Sequence, residues 1–195
     1  MKTSKRFWFG FFLTLPLTFG VSRQARAWTP YSQPDVMSEQ PDLMMMQTAE
    51  GYSASDPNAP TLIIACVAGD LRMLINYGPG VFLGFNNVQA MTRWGKTPPD
   101  TEAYPTGESG QTVFLYDETL DGAAIWGPEL LVIMADASPY NTIGAFLAVR
   151  VYPPGAAPIT AKFNIKGFDA AYAPIGKECN QTFAENFPTS GAPQK

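Results

Sequence analysis

The sequence contains no histidine. Histidine is the commonest general base and zinc ligand, so its absence excludes Ser-His-Asp and Cys-His nucleophiles and any histidine-based zinc site. A hydrolase made from this sequence would have to be a glycan-cleaving enzyme that uses two carboxylates. The candidate acids are Asp117, Glu118, Asp121 and Glu129. Nothing in the sequence brings any two of them to the separation that such an enzyme requires.

Cysteine is also scarce, since the chain has only Cys66 and Cys179. In an exported protein, an even pair is most simply a disulfide. A bridge closing so long a loop would stabilise the fold by about 4 to 5 kcal/mol in the chain-entropy description. A reactive thiol and an intermolecular link are the alternatives.

One long hydrophobic run is present, over residues 7–21, and a basic segment precedes it. The small residues Ala25 and Ala27 follow, which predicts a signal peptide over residues 1–27 and cleavage before Trp28. The alternative is an uncleaved membrane anchor. The run is shorter than the roughly 20 residues that span a bilayer, and Gly and Pro interrupt it, so we expect export without a membrane span after cleavage.

Basic residues are few once the signal is removed, because 8 Lys and Arg then remain against 17 Asp and Glu, a net charge of −9. A chain this acidic is repelled by phosphate backbones and by anionic membrane surfaces. No segment of the sequence collects basic residues into a stripe. We therefore expect no nucleic-acid partner.

The remaining length suits one domain with tails. The 17 Gly, the 18 Pro and the many aromatic and β-branched residues favour short strands over a helical bundle. The expected organisation is a flexible leader over residues 28–60, a domain over 61–180 and a flexible tail over 181–195. The leader contains Met44, Met45 and Met46, which are either a short apolar segment that folds onto the domain edge or, less favoured, a soft docking or Cu(I) site.

Alternating hydrophobicity and turn residues predict strands over 61–67, 71–77, 87–94, 111–116, 144–152 and 159–165. Residues 81–85 are a short strand or extended segment, and 130–135 are ambiguous between helix and strand. Residues 95–110 are rich in Pro and Gly, which predicts a loop or irregular edge. The acids from Asp117 to Asp121 are interpreted as a solvated turn, with a calcium site as the alternative. Core spacing predicts a short helix over 168–179, which Pro174 would shorten or kink.

The order of these elements resembles a known family. The matching features are a strand with an early Cys66, a second strand ending in Phe82-Leu83-Gly84, a third strand ending in Arg93, the residues Val149-Arg150-Val151-Tyr152, the segment 160–168, and a short helix closing with Cys179. Over residues 60–180 the chain resembles the VasI/TagO-like family of exported proteins associated with type VI secretion. The resemblance implies a periplasmic accessory protein of β-sandwich type in which Cys66 and Cys179 tie the opening strand to the closing helix. It implies no known reaction.

The fold class predicted is therefore mainly β, an antiparallel β-sandwich-like single domain with a short C-terminal helix. The function predicted is a non-enzymatic accessory or binding protein of the bacterial cell envelope, with a protein partner and without metal or cofactor. The alternatives are a carbohydrate- or peptidoglycan-binding β-sandwich and the carboxylate-dependent glycan hydrolase. The candidate binding residues are Arg93, Trp94, Tyr104 and Trp126, because aromatic side chains near loops can anchor a partner. Core packing is the alternative role for the three aromatic residues.

Overall fold

The computed structural model describes residues 28–34, 41–117 and 146–179. These residues form nine strands and one helix: β1 Thr29–Pro34, β2 Pro41–Thr48, β3 Thr61–Val67, β4 Asp70–Asn76, β5 Asn87–Trp94, β6 Asp100–Pro105, β7 Thr112–Asp117, β8 Phe146–Val151, β9 Ile159–Asn164 and α1 Phe168–Glu178. The strands pair antiparallel in two sheets, with the orders β1-β2-β3-β4-β7 and β6-β5-β8-β9. The predicted antiparallel β-sandwich-like domain with a short C-terminal helix is confirmed.

Alternation along the strands decides which side chains enter the core. In β8, for example, Leu147, Val149 and Val151 are fully buried, while Arg150 between them is exposed. Such period-two burial is what one apolar face per strand produces in a sheet that is solvated on its other face. The inward residues of both sheets form one hydrophobic cluster, so the two sheets share a core.

Helix α1 closes the part of this core that lies over β2 and β3. Its buried residues Phe168, Tyr172 and Ile175 lie at helical spacing, as the sequence predicted. Phe168 stacks on Tyr172, and Trp28 meets the Phe168 ring edge-on with a centroid separation of 5.6 Å. The helix runs through Pro174 to Glu178 and is not shortened there, because the buried side chains on both sides of Pro174 hold it to the sheet.

The disulfide between Cys66 and Cys179 is confirmed, with a Cα–Cα distance of 5.7 Å and a sequence separation of 113 residues. Both cysteines are buried, Cys66 on the inner face of β3 and Cys179 directly after α1. The bridge therefore fixes the end of the helix to the centre of the five-stranded sheet.

The structure differs from the sequence expectation in two segments. Part of the expected flexible leader forms β1 and β2, and Met45 is fully buried while its neighbours Met44 and Met46 are half-buried on the other face. This matches the apolar-segment interpretation of the three methionines. Residues 95–110 are not all loop, because β6 pairs with β5 at the edge of the four-stranded sheet, where a strand tolerates proline at its end.

Several expectations lie outside the described residues: the signal peptide 1–27, the ambiguous segment 130–135, the tail 181–195, and the residues Glu118, Asp121, Trp126 and Glu129. Within the described ranges, no helix is long and apolar enough to cross a membrane.

Candidate functional site

Two of the candidate binding residues lie in the core. Trp94 is 7% exposed and Tyr104 is 1% exposed, and both belong to the hydrophobic cluster shared by the sheets. They point inward because they occupy inward positions of β5 and β6, where alternation places the apolar face. Neither can anchor a partner at the surface, so the core-packing interpretation is the correct one for both.

Arg93 has the opposite placement, since it is exposed on the outer face of the four-stranded sheet. Its Nε donates a hydrogen bond of 3.1 Å to the carbonyl oxygen of Gly95. Its terminal amino groups are consequently available at the surface. Trp126, the fourth candidate, lies outside the described residues.

Of the candidate catalytic carboxylates, Asp117 is the one that the structure describes. It is 4% exposed, and its Oδ1 lies 3.6 Å from Nε of Arg72 on the neighbouring strand β4. Asp117 thus forms an ion pair with Arg72 across two neighbouring strands of the five-stranded sheet. Within residues 28–34, 41–117 and 146–179, no three Asp, Glu or Cys side chains come together as metal ligands.

Among the described residues, the two most exposed aromatic side chains form a pair that the sequence analysis did not name as binding candidates. Phe82 is 51% exposed and Phe85 is 67% exposed, and their rings meet edge-to-face with centroids 5.0 Å apart. Both lie in the connection from β4 to β5, residues 77–86. We call the pair and the loop residues that support it, 78–86 and 106–111, the aromatic tip.

The aromatic tip is held by the residue between the two rings. Leu83 is fully buried, and its N–H donates a 2.6 Å hydrogen bond to the carbonyl of Gly110. Thr106 bonds the same loop twice, through its hydroxyl to the carbonyl of Gly84 and through its N–H to the carbonyl of Asn86. These bonds connect the loop to the β6–β7 connection, so the rings project from a fixed backbone.

Two glycines permit this arrangement. Gly84 has a φ of +97°, which places Phe82 and Phe85 on the surface with Leu83 buried between them. Gly110 leaves room for the ring of Phe82, because a Cβ at Gly110 would stand 2.6 Å from a carbon of that ring. The backbone conformation at these two glycines therefore allows both phenylalanine rings to lie at the surface.

The base of the aromatic tip is buried. Tyr77, the residue after β4, is fully buried, and its hydroxyl has no hydrogen-bond partner among the described residues. Burial, and to a lesser degree the nearby Tyr52, raises the pKa of Tyr77 above the ordinary range of tyrosine. The tip itself carries one charged side chain, Glu108. Its chemistry is that of an apolar contact surface.

One feature of the sequence is consistent with exposure of these two rings. Phe82 and Phe85 stand in a short stretch, GPGVFLGFN, with three glycines and one proline, which favours an irregular connection over a strand. Large aromatic residues in such a connection are candidates for exposure. The usual expectation that phenylalanine is buried outweighs this signal unless the loop conformation is known.

Comparisons with known proteins give no match. No family model matches the chain, and neither a curated protein nor a solved structure does.

Proposed function

We propose that this chain is an exported, non-enzymatic binding protein of the bacterial cell envelope, which works in the periplasm and docks a protein partner through the aromatic tip. The observation that carries the proposal is the pair Phe82 and Phe85, two large apolar side chains that are more than half exposed on a hydrogen-bonded loop. Exposed apolar patches on a folded domain mark interaction sites, and aromatic side chains dominate the energetics of protein interfaces.

The fixed geometry favours binding in a further way. A docking side chain that is already held in its bound conformation loses little entropy on association. Complete burial of a phenylalanine side chain stabilises by about 1.5 to 3 kcal/mol relative to leaving it in water. Two half-exposed rings that enter one pocket would together supply a substantial part of the binding free energy.

The charge of the tip indicates the kind of partner. Glu108 is the single ionised side chain of residues 78–86 and 106–111, so long-range electrostatic attraction contributes little here. The complementary surface is an apolar pocket on a protein. A flexible, charged polymer would find few groups on the tip to bind.

Export and the absence of a reaction are parts of the same proposal. The Cys66–Cys179 disulfide supports an oxidising compartment, since structural disulfides are rare in the cytosol. The lack of histidine in the sequence and the burial of Asp117 against Arg72 support a role without catalysis. The resemblance to the VasI/TagO-like family makes envelope proteins of type VI secretion systems the first partners to try.

The test is an affinity capture from envelope extract with the oxidised chain that begins at Trp28. The chain is compared with Phe82→Ala/Phe85→Ala and with Tyr31→Ala, a control that removes another exposed aromatic side chain, 47% exposed on β1. We expect one stoichiometric protein partner that the wild type and the control retain and the double variant loses. The purified partner should then bind the wild type directly, at least tenfold tighter than the double variant.

Equal capture by the double variant would contradict the proposal. Circular dichroism and the unfolding midpoint establish that the double variant is folded, which we expect because both rings lie at the surface. If the captured protein is a second copy of this chain, and the double variant loses it, the aromatic tip mediates self-association and the proposed function is wrong.

A further inference from the structure

Three basic side chains that are distant in sequence meet on the outer face of the four-stranded sheet. In the strand register, Arg93 of β5 and Lys162 of β9 both pair with Ala148 of β8, so they flank that small residue on the same face. Arg150 lies two residues along β8 from Ala148 and faces the same way. Neighbouring strands are about 4.8 Å apart, which places the Cα atoms of Arg93 and Lys162 roughly 10 Å from each other.

The two arginines are held in a way that leaves their anion-binding edges open. Nε of Arg150 donates a 2.9 Å hydrogen bond to the hydroxyl of Thr160, the residue directly opposite on β9, and Nε of Arg93 donates to the Gly95 carbonyl. Neither guanidinium has a carboxylate partner among the described residues. Each therefore presents its terminal amino groups, which bind a carboxylate or phosphate by two parallel hydrogen bonds.

The sign of charge on this face is opposite to that of the chain. The outward positions of β5, β8 and β9 include three basic residues and no acidic one, and the edge strand β6 carries the exposed Asp100 at its start. One acid approaches from outside the strands, Glu50, whose Oε2 lies 2.8 Å from Nζ of Lys162. No segment of the sequence collects basic residues, but the strand register brings these three together from separate strands.

The same face carries groups that suit a sugar chain. Tyr152, 36% exposed, follows β8 beyond Arg150, and its N–H bonds the carbonyl of Gln89 on β5. Phe146, at the other end of β8, is half-buried, with Nζ of Lys162 4.7 Å from its ring centroid. An aromatic residue thus stands at each end of the basic cluster. Aromatic rings stack on the apolar faces of sugars, while neighbouring polar side chains and arginines bind hydroxyl and acidic groups.

We propose that this face, through Arg93, Arg150, Lys162 and Tyr152, binds an acidic polysaccharide, a sugar polymer with carboxylate or phosphate groups. Charge complementarity selects an anionic occupant, and the aromatic residues beside the arginines select a sugar chain over an acidic protein surface. The site lies on the outer face of the four-stranded sheet and shares no residue with the aromatic tip. The chain would then connect a protein partner to an acidic glycan.

The test measures binding of the oxidised chain to polygalacturonate, a polymer of a carboxylated sugar, by isothermal titration calorimetry at low salt. Fully methyl-esterified polygalacturonate is the control for charge, because it has the same sugar chain without free carboxylates. Poly-glutamate is the control for the sugar, because it has carboxylates on a polypeptide. Arg93→Gln/Arg150→Gln removes the two open guanidinium groups, and Tyr152→Ala removes the ring. Lys177→Gln is the matched control, because Lys177 is an exposed basic residue of α1 outside the face.

We expect binding to polygalacturonate that weakens at least tenfold in the double arginine variant and at least threefold in Tyr152→Ala, with the Lys177 control unchanged. Esterified polymer should not bind, and poly-glutamate should bind at least tenfold more weakly than polygalacturonate. No binding to polygalacturonate, or an equal loss in the Lys177 control, would overturn the site. The face would instead bind an acidic protein if poly-glutamate bound as tightly as polygalacturonate and if Tyr152→Ala did not weaken that binding. Phe82→Ala/Phe85→Ala should bind polygalacturonate normally, so this result is independent of the tip.

Discussion

The ring of Phe82 occupies the space that a side chain at residue 110 would need, since a Cβ on Gly110 would stand 2.6 Å from it. The substitution Gly110→Ala should therefore displace Phe82 and disturb the aromatic tip. Gly155→Ala is the matched control, because both glycines have nearly the same φ, +66° and +69°, and the Cβ position of Gly155 is open. We expect the control to lose about 1 to 2 kcal/mol of unfolding free energy from backbone strain alone.

Gly110→Ala should lose more unfolding free energy than Gly155→Ala and should also weaken partner binding. Denaturant unfolding measures the first quantity, and titration with the captured partner measures the second. Equal unfolding free energies and equal partner affinities for the two variants would contradict this prediction. They would mean that the position of the Phe82 ring affects neither stability nor binding.

Removal of the disulfide should lower the free energy of unfolding. Cys66→Ala/Cys179→Ala should lose about 4 to 5 kcal/mol of unfolding free energy, because the bridge closes a loop of 113 residues and constrains the unfolded chain. Reduced wild type should unfold at the same denaturant concentration as the variant. A loss below about 1 kcal/mol would indicate that packing of Tyr172 and Ile175 against the sheet holds α1 without the bridge.

The buried hydroxyl of Tyr77 predicts how stability depends on alkaline pH. Its pKa is raised in the folded state, so its contribution to stability is complete below about pH 10 and is lost as the pH rises above that value. Tyr77→Phe removes this loss. The free energy of unfolding of the variant should therefore exceed that of wild type by an amount that grows from pH 9 upward.

At neutral pH, Tyr77→Phe should change stability by less than about 1 kcal/mol, because the hydroxyl has no partner among the described residues. Tyr104→Phe is the contrast, since the Tyr104 hydroxyl donates a 3.5 Å hydrogen bond to Thr92 and the variant should be destabilised. The same pH profile for wild type and Tyr77→Phe would disprove the burial of an ionisable hydroxyl at this position.

The turn between β3 and β4 offers a stabilising substitution. Ala68 and Gly69 have φ values of 52° and 88°, the left-handed pair of a two-residue hairpin turn. Alanine is strained in this region by about 1 to 2 kcal/mol, so Ala68→Gly should raise the unfolding temperature. Gly69→Ala should lower it although its Cβ position is open. The unfolding temperatures of the two variants, measured by thermal unfolding, check both predictions. A lower unfolding temperature for Ala68→Gly would show that residue 68 does not adopt the left-handed conformation.

The sequence predicted those strands that have one buried and one solvated face. The alternation of Val88, Ala90 and Thr92 with Gln89, Met91 and Arg93 predicted β5 with its observed boundaries. Alternation also predicted β9, and the β-forming residues of 144–152 predicted β8, each within a few residues of its observed ends. β2 was missed because Met44, Met45 and Met46 are apolar on both faces and show no period. β6 was missed because it is an edge strand with one partner, and Pro98, Pro99 and Pro105 around it are typical of loops.

The binding surfaces were less predictable than the fold. Arg93 was a candidate from sequence, but its neighbours Arg150 and Lys162 join it only through the register of β5, β8 and β9. Phe82 and Phe85 are exposed because of two glycine conformations and the burial of Leu83 between them. Alternation along one strand carries no information on either arrangement, since both depend on contacts between distant segments.

Site-specific photo-crosslinking shows whether a protein partner contacts the aromatic tip. A photoreactive phenylalanine analogue at position 85, in the oxidised chain in envelope extract, is compared with the same analogue at position 31, an exposed aromatic position on β1 at the edge of the five-stranded sheet. We expect one discrete protein adduct from position 85 that Phe82→Ala weakens, and no such adduct from position 31. The same adducts from both positions, or none from position 85, would contradict docking through the aromatic tip.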